Sequence, residues 1–453
     1  MAADSALYPD TARAQSAVRR AVSGAVNDSL LRNSSFLMLN SVLVSALGFL
    51  FWTLAARYFP ASAVGTTTTV ISAVTYASMM GTLGLPNTVI RFLARDRDPV
   101  MMLTTTGALA TGAGAVVGLA WCAIPGHLGI PLSSVGSGWL TAPVVIVVVA
   151  LGSLGAVAQS AIIALRKSKW VVVENGLASI VKLLALPLAL GFAAAGLFSL
   201  FLASLAVSTI ASIVIIVRVV DAPRQRWMRT PDLGAIAHMR SFAAGNHFAA
   251  LAALLPGTAL RIIVLDQLGA QDAAYLAMPL MIVALLKIIP STAAQSLFAE
   301  ASHDEASLGR QARRTMRAIY VVLIPAIVAL VVLAEPLLSI FGADYAAAGT
   351  TCLQLLALSG VFAGFNYVAD TILNAQRRVR AYVVVNVVGS VFGIGFPIAL
   401  LGYGLTGVGF GWLLGQVGYA LVAAVALFWH RRPPARPAPI VVVDTWSRVE
   451  SEA

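Results

Sequence analysis

About twelve long apolar runs dominate this sequence of 453 residues. Each run has roughly the length of 17–25 residues that an α-helix needs to cross the hydrocarbon core of a bilayer. Hydrophobic residues make up 59% of the chain and charged residues 11%, whereas an ordinary soluble domain has about 25% charged residues. The sequence therefore predicts an all-α polytopic membrane protein, with spans at 36–56, 66–90, 101–122, 140–163, 170–191, 196–217, 241–265, 273–298, 317–334, 350–374, 381–401 and 405–429.

Basic residues concentrate in the termini and in every second connection between the predicted spans. These places hold 26 of the 30 Lys and Arg residues, since only Arg57, Lys182, Arg261 and Lys287 fall elsewhere. By the positive-inside rule, both termini are cytoplasmic and the number of spans is even. The net charge of +11 thus reflects topology, and we expect no nucleic-acid partner. The excess of Arg over Lys and the Ala-, Gly- and Val-rich composition favour the cytoplasmic (inner) membrane of a bacterium.

A basic stretch occurs twice in related form. "ALRKSKWVVVEN" at 164–175 aligns with "AQRRVRAYVVVN" at 375–386, a shift of 375 − 164 = 211 positions. Because six is even, a duplicated six-helix unit has both copies in the same orientation, related by an axis along the membrane normal. We therefore expect two six-helix lobes around a central cavity. The predicted segments are a cytoplasmic N-terminal segment with a short interfacial helix or a disordered tail (1–35), an N-terminal lobe (36–217), a basic cytoplasmic linker (218–240), a C-terminal lobe (241–429) and a Pro- and Arg-containing cytoplasmic tail (430–453).

The four remaining cations are the candidate binding residues. A cation at the bilayer centre costs roughly 2.5–3.5 kcal/mol on insertion scales, so it usually faces a water-filled cavity or a partner. Lys182 and Lys287 lie near the middle of their spans, where an intramembrane ion pair is the alternative. Arg57 lies near an outer boundary and could instead extend to the headgroups, and Arg261 could pair with Asp266. A cavity lined by these cations suits an anionic substrate such as a phosphate.

Polar side chains extend from the cations at helical spacing. Lys287 aligns with Ser291 and Gln295, and Arg261 lies above a face of small residues that ends at Asn246. On the tenth span, Asn366 and Asp370 form a similar stripe. Acidic residues within the spans are Glu174 and Asp370, and either could carry a coupling proton or serve only as a structural hydrogen-bond partner. Whether transport couples to H⁺ or Na⁺ stays open.

Two stretches carry a resemblance to a known family. "AARYFPASAVGTTTTVISAVTYASMMGTLGLPNTVIRFLA" resembles the start of polysaccharide-type flippases of the multidrug/oligosaccharidyl-lipid/polysaccharide exporter superfamily, in which the first helix ends in a basic residue and a turn of the form "LLGPEEFG", and the second ends in "GLxxxxxR". Arg57, Gly65, "LGLP" at 83–86 and Arg91 match, while Pro60 replaces the usual Gly. "LNAQRRVRAYVVVNVVGSVFGIGFPIALLGYGLTGVGFGWLLGQ" is similar to the eleventh and twelfth helices of that family.

The resemblance implies a flippase that moves a polyprenyl-(pyro)phosphate-linked oligosaccharide or a related lipid-linked glycan from the inner to the outer leaflet by alternating access. The lipid tail would stay in the bilayer while the headgroup crosses the cavity. Arg57, Arg261 and Lys287, with Lys182 as a further member, would then contact the pyrophosphate. A polysaccharide polymerase or glycosyltransferase is the implied partner, and we expect a monomer.

Three other classes of function remain as alternatives. A multidrug exporter of the same superfamily would share the architecture, but it normally uses buried acids to attract cations, whereas bases prevail here. A membrane-embedded glycosyltransferase or polymerase would need catalytic or metal-binding acids near an interface. The acids and histidines show no ligand spacing, so we predict no catalytic residue, no metal and no cofactor. A scaffold that keeps the fold without transport is a further alternative.

Overall fold

The structure is a computed structural model that describes residues 29–93, 96, 98–123, 140–220, 222–223, 227, 230–232, 234, 240–301, 308–376 and 378–429. Long α-helices dominate this part of the chain. In chain order they are α1 Ser29–Tyr58, α2 Ala61–Gly81, α3 Pro99–Ala123, α4 Thr141–Ala164, α5 Lys169–Leu184, α6 Ala193–Val220, α7 Arg240–Gln267, α8 Ala270–Ala301, α9 Leu308–Val332, α10 Ala343–Ala375, α11 Val379–Ala399 and α12 Gly404–Trp429.

The predicted N-terminal segment up to residue 28, most of the linker and the tail from residue 430 lie outside the described residues. Within the described chain, ten helical segments are long and apolar enough to cross a membrane. Of the twelve helices, α2 and α5 do not qualify, since α2 contains four consecutive threonines and α5 has only 16 residues. The protein is a multi-pass membrane protein, as its composition predicted.

Corresponding pairs of helices pack together in the two halves. In the first half α1 packs on α5, α3 on α4, and α4 on α6; in the second half α7 packs on α11, α9 on α10, and α10 on α12. The structure thus has two six-helix lobes, α1–α6 and α7–α12, in which each helix αn corresponds to αn+6. This arrangement confirms the predicted all-α architecture.

The second predicted span is not one continuous helix. We expected a single span over 66–90, but α2 ends at Gly81 and a short helix, Leu85–Phe92, follows it. Leu83 and Gly84 between them have φ values of 52° and 74°, which break the helical path. Pro86 then lies in the first turn of the short helix, where its missing N–H costs no hydrogen bond. The chain therefore turns at the end of α2 that carries the basic loops.

The fifth predicted span, 170–191, is interrupted as well. α5 ends at Leu184, and a 3₁₀-helix over Leu186–Phe192, with Pro187 in its first turn, leads to α6. Lys182 therefore lies in the last turn of α5 instead of the middle of a span.

Pro256 interrupts the hydrogen bonding of α7 at a point where α11 approaches. A proline cannot donate to the carbonyl four residues earlier, which here belongs to Ala252. A donor comes from Ser390 of α11, whose Oγ lies 2.5 Å from the Ala252 carbonyl oxygen and 2.7 Å from that of Asn386 on its own helix, so the two carbonyl groups share one hydroxyl proton. A Cβ atom at Gly393, one turn further along α11, would lie 3.1 Å from the Pro256 Cβ. The two helices thus meet closely around the proline.

The lobes are in tight contact at the end opposite the basic loops. One hydrophobic core there joins Phe51 and Phe59 of the first lobe to Leu276, Phe341 and other residues of the second. Gly65 of α2 lies so close to α8 that an added Cβ would stand 1.9 Å from the Ala270 carbonyl oxygen. This end of the interface between the lobes is therefore closed; we call it the closed end, and the other the basic end.

Candidate functional site

A central cavity of about 680 Å³ lies between the two lobes. Its walls come from α1, α2, α7, α8, α10 and α12, so both lobes contribute to it. One face of α2, formed by Thr68, Ser72, Thr75 and Met79, lines this cavity. The polar, charged and aromatic lining residues, together with Met79, are Trp52, Thr68, Ser72, Thr75, Tyr76, Met79, Thr258, Arg261, Lys287, Tyr367 and Trp412.

Arg261 and Lys287 line this cavity together. Arg261 NH1 donates a hydrogen bond to Ser72 Oγ of the other lobe at 3.2 Å and a longer one to the Gly257 carbonyl oxygen at 3.4 Å. Lys287 Nζ stands 5.3 Å from the centroid of the Trp412 ring, a cation–π contact worth ~2 kcal/mol where water is scarce. Both cations are therefore held by neutral partners.

Arg261 and Lys287 carry like charges and line the same cavity, so they repel each other. No carboxylate occurs among the described residues that line the central cavity. Asp266, the alternative partner considered for Arg261, instead accepts a hydrogen bond from Gln267. Two neighbouring positive charges without an acidic partner are costly inside a membrane, and a bound anion would offset this cost.

Arg57 and Lys182 lie elsewhere in this conformation. Arg57 is exposed at the closed end, where its Nε donates to the Ile340 carbonyl oxygen at 2.7 Å and NH2 is 3.4 Å from that of Ser339. Lys182 Nζ lies 4.5 Å from the centroid of the buried Phe51 ring. Neither residue is among those that line the central cavity. The structure therefore brings together two of the four cations.

The described residues that line the central cavity do not include Ser291 or Gln295, which were predicted to continue the polar stripe from Lys287. Ser291 donates to the carbonyl oxygen of Ile288 on its own helix at 3.0 Å, and Gln295 is exposed further toward the basic end. The side chain of Asn246 lies outside the described residues. The small residues above it, Ala253 and Gly257, line the central cavity and leave open volume there.

A second cavity, of about 200 Å³, lies within the C-terminal lobe; we call it the lobe pocket. It adjoins the central cavity, since Lys287, Tyr367 and Trp412 line both. Asn366 and Asp370 of α10 line it, together with Asn386, Ser390, Gln416 and Tyr419 of α11 and α12. Tyr419 OH donates to Asp370 Oδ2 at 2.7 Å, and Asn386 Nδ2 lies 3.3 Å from Asp370 Oδ1. Asp370 is thus fixed by two neutral donors.

Glu174 occupies a corresponding place in the N-terminal lobe but is sealed from both cavities. It is 1% exposed, and its carboxylate accepts hydrogen bonds from Ser212 Oγ at 2.6 Å and Gln159 Nε2 at 3.1 Å. The shift of 211 positions that relates the basic loops also pairs Gln159 with Asp370. Each lobe therefore holds one carboxylate between its fourth, fifth and sixth helices, carried by the fifth helix in the first lobe and by the fourth in the second.

Aromatic residues of the site were not predicted from the sequence. Trp52, Tyr76, Tyr367 and Trp412 line the central cavity together with the two cations. Tyr76 OH also donates to the Leu251 carbonyl oxygen of the other lobe at 3.2 Å. Aromatic residues in spans also face lipid or pack between helices, so their spacing alone does not identify them. Tyr76 lies at helical spacing from Ser72 and Met79 and so shares their face of α2. This spacing is the sequence signal that could have identified Tyr76.

Solved structures of membrane transporters share this fold. An inward-facing multidrug resistance MATE family transporter of the MOP superfamily superposes with a TM-score of 0.67 at 14% identity, over 85% of this chain and 93% of that one. The lipid II flippase MurJ, in an inward closed conformation, gives 0.66 at 13% identity, over 86% and 87%. An outward-facing MATE transporter gives 0.58 at 14% identity, over 88% and 94%. The chain therefore has the fold of these membrane transporters and of this flippase.

Comparison with protein families narrows this assignment. The chain matches the family described as polysaccharide biosynthesis protein over residues 30–299, which is more than half of its length. It also matches the MatE family over residues 259–400. No curated protein sequence matches it significantly. The chain belongs to the polysaccharide biosynthesis protein family.

Proposed function

We propose that the protein flips a polyprenyl-(pyro)phosphate-linked oligosaccharide, or a related lipid-linked glycan, from the inner to the outer leaflet for the synthesis of cell-envelope polysaccharide. The observation that carries the proposal is the pair of cations, Arg261 and Lys287, which share one cavity with no carboxylate among its described lining residues. A pyrophosphate would satisfy both charges at once. The membership in a polysaccharide biosynthesis family and the fold shared with a lipid II flippase support the same substrate class.

The cavity also suits the remainder of such a headgroup. Hydroxyl groups of Thr68, Ser72, Thr75 and Thr258 can exchange hydrogen bonds with sugar hydroxyls, and aromatic rings can pack on the apolar faces of sugars. The lipid tail would stay in the bilayer, since the cavity is far too small for a polyprenyl chain in addition to a sugar. Alternating access would then open the closed end while the basic end closes.

We assign phosphate binding to Arg261 and Lys287 in this conformation. Arg57 would reach the headgroup only after the lobes separate at the closed end, where it now binds the carbonyl oxygens of Ser339 and Ile340. Lys182 has no part in the proposal, because it contacts Phe51 outside the cavity. The predicted cytoplasmic location of both termini would place the basic end at the cytoplasmic side of a bacterial inner membrane, where lipid-linked glycans are assembled. The partner would be the glycosyltransferase that builds the glycan or the polymerase that extends it.

For ion coupling we propose Asp370 in preference to Glu174. Asp370 lines the lobe pocket beside the central cavity, so a proton or cation could reach it as the lobes move. Glu174 is sealed among α4, α5 and α6 with both carboxylate oxygens hydrogen-bonded. Its role would be structural.

Multidrug export is the second candidate function. The similarity of residues 259–400 to the MatE family and the shared fold with MATE transporters favour it. A cationic drug, however, would meet two positive charges in the central cavity, and the described residues that line this cavity include no carboxylate. An anionic headgroup fits this cavity better.

The test is mass spectrometry of polyprenyl lipids from cells depleted of the protein, combined with leaflet-specific labelling of sugars. We expect one lipid-linked oligosaccharide to accumulate on the cytoplasmic face. Wild-type protein should reverse the accumulation, whereas Arg261→Ala and Lys287→Ala should not, although both variants are present in the membrane in normal amounts. An unchanged lipid profile, together with a gain of sensitivity to cationic drugs, would refute the flippase proposal and favour export.

A further inference from the structure

The lobe pocket supports an inference about ligand binding that goes beyond the two cations. It lies on the C-terminal-lobe side of the central cavity, and Lys287 and Trp412 form the boundary between the two spaces. A group bound to Lys287 would therefore stand at the mouth of the pocket. Whatever is attached to that group can enter it.

The walls of the lobe pocket offer neutral polar groups and one acid. Asn366 and Gln416 are joined by a 3.1 Å hydrogen bond from Asn366 Nδ2 to Gln416 Oε1. Asn386 is held through its Nδ2, which donates to the Tyr382 carbonyl oxygen at 2.9 Å and lies 3.3 Å from Asp370 Oδ1. These bonds fix the amides on three different helices, so the pocket is preorganised for a ligand that forms several hydrogen bonds.

One polar atom of this network has no partner in the described structure. Asn366 is 3% exposed, and its Oδ1 is buried without a hydrogen bond. A buried carbonyl oxygen without a donor costs about 1–3 kcal/mol. A hydroxyl group of a ligand would supply the donor, while its own oxygen could accept from another side chain.

The volume of the lobe pocket and the charge of its walls indicate which class of ligand it can bind. A single water needs only about 10–15 Å³ of such space, so the 200 Å³ of the lobe pocket far exceeds the need of one water or one bare ion. Asp370 disfavours a second phosphate there, and the amide groups disfavour a hydrocarbon chain. A sugar ring has hydroxyl groups that donate and accept, and apolar C–H faces that can pack on Trp412.

We propose that the lobe pocket binds the first sugar of the transported lipid, the one joined directly to the phosphate. This inference rests on the proposed flippase function, because Lys287 must hold that phosphate at the mouth of the pocket. Asn366 and Gln416 are then the residues that determine specificity for this sugar, and Trp412 is the wall on which it packs. Sugars further along the glycan would occupy the larger central cavity.

The test compares two ligands on the purified full-length protein in lipid nanodiscs. One is a short-chain prenyl diphosphate, and the other is the same lipid carrying a single sugar, taken in turn from a small set of hexoses and N-acetylhexosamines. Wild-type protein should bind at least one glycosylated form roughly tenfold more tightly than the bare lipid, which corresponds to one or two net hydrogen bonds. Asn366→Ala and Gln416→Ala should remove this preference without changing the affinity for the bare lipid.

Two matched variants complete the design. Arg261→Ala should weaken both ligands equally, and Asn175→Ala, an amide of the N-terminal lobe that lines neither cavity, should change neither. Gln416 is partly exposed, so its variant tests the pocket even if Asn366→Ala does not fold. Equal binding of bare and glycosylated lipids by the wild type, or a preference that both variants keep, would overturn the sugar site and leave the flippase proposal standing. Failure of every lipid to bind would overturn both.

Discussion

Arg57 at the end of α1 donates a 2.7 Å hydrogen bond to the carbonyl oxygen of Ile340 in the opposite lobe. Ile340 directly follows the short helix Ala334–Ser339, and a cation at the C-terminal end of a helix is favourably placed. Beside this contact, Gly65 allows α2 and α8 to approach backbone to backbone. In addition to the hydrophobic core, the closed end is therefore held by the hydrogen bonding of Arg57 and by the close approach of α2 and α8 at Gly65.

Removing the guanidinium should make the closed end open more often. In a background without Cys122 and Cys352, a cysteine at Ala274, which is 0% exposed beside α2, reports the opening. We expect Arg57→Ala to raise its labelling by a water-soluble maleimide about two- to fivefold, as for a loss of 0.3–1 kcal/mol. Arg218→Ala, at the basic end, should leave labelling unchanged. Equal labelling in all three proteins would contradict a role of Arg57 in closure.

A side chain at Gly65 should prevent closure altogether. Its Cβ would stand 1.9 Å from the Ala270 carbonyl oxygen, whereas a Cβ at Gly48 would meet nothing within 4 Å. Spin labels at Tyr58 and Ser339, both exposed at the closed end, should therefore show a longer distance in Gly65→Ala and the wild-type distance in Gly48→Ala. A wild-type distance in Gly65→Ala would mean that α8 yields locally and the lobes need not separate.

The two carboxylates should behave differently. Glu174→Ala removes the acceptor of the buried Ser212 and the half-buried Gln159, and each lost hydrogen bond costs about 1–3 kcal/mol, so we expect a clearly lower temperature of thermal unfolding in detergent. Glu174→Gln should leave the pH dependence of flipping unchanged. Asp370→Asn should abolish that dependence, or the stimulation by an ion gradient, with little loss of stability. The coupling assignment fails if Asp370→Asn responds to pH and ions as the wild type does.

Ser390 and Pro256 should be energetically coupled. Ser390→Ala leaves the Ala252 carbonyl oxygen without the donor that Pro256 cannot supply, which should cost about 1–2 kcal/mol. In the double variant with Pro256→Ala, the restored backbone N–H of α7 can bind that carbonyl oxygen, so the cost of Ser390→Ala should largely disappear. Chemical denaturation of the four proteins in a double-mutant cycle measures this coupling. Additive costs would show that Ser390 stabilises the protein in another way.

Hydropathy and the positions of the charges predicted the all-α membrane fold of the protein. Apolar length and the alternation of basic loops are properties of single segments, so they are readable without tertiary information, and the repeat of the basic loop revealed the two lobes. Helix breaks were less visible. Pro86 and Pro187 follow directly after the two breaks, but a proline can also bend a helix without ending it, and the backbone conformation of Leu83 and Gly84 shows that α2 ends there.

The candidate site was predicted in part. Arg261 and Lys287 could be found because a charge inside a span is rare and needs a reason. The same argument selected Arg57 and Lys182, and sequence alone cannot distinguish a cation that faces a cavity from one that binds a carbonyl oxygen or an aromatic ring. Trp412 and Gln416 were not predicted as site residues. They lie in a Gly-rich helix, α12, and the face of α12 that lines the site is set by its packing against α10.

The most direct test of the account is lipid flipping by the purified protein in proteoliposomes. The substrate is a short-chain prenyl diphosphate that carries a sugar, and its arrival at the far leaflet is followed by a sugar-modifying reagent that cannot cross the membrane. We predict flipping by the wild type and by Arg218→Ala, and rates at least roughly tenfold lower for Arg261→Ala and Lys287→Ala, as expected for the loss of a charged hydrogen bond. Wild-type rates in both cavity variants would contradict the account.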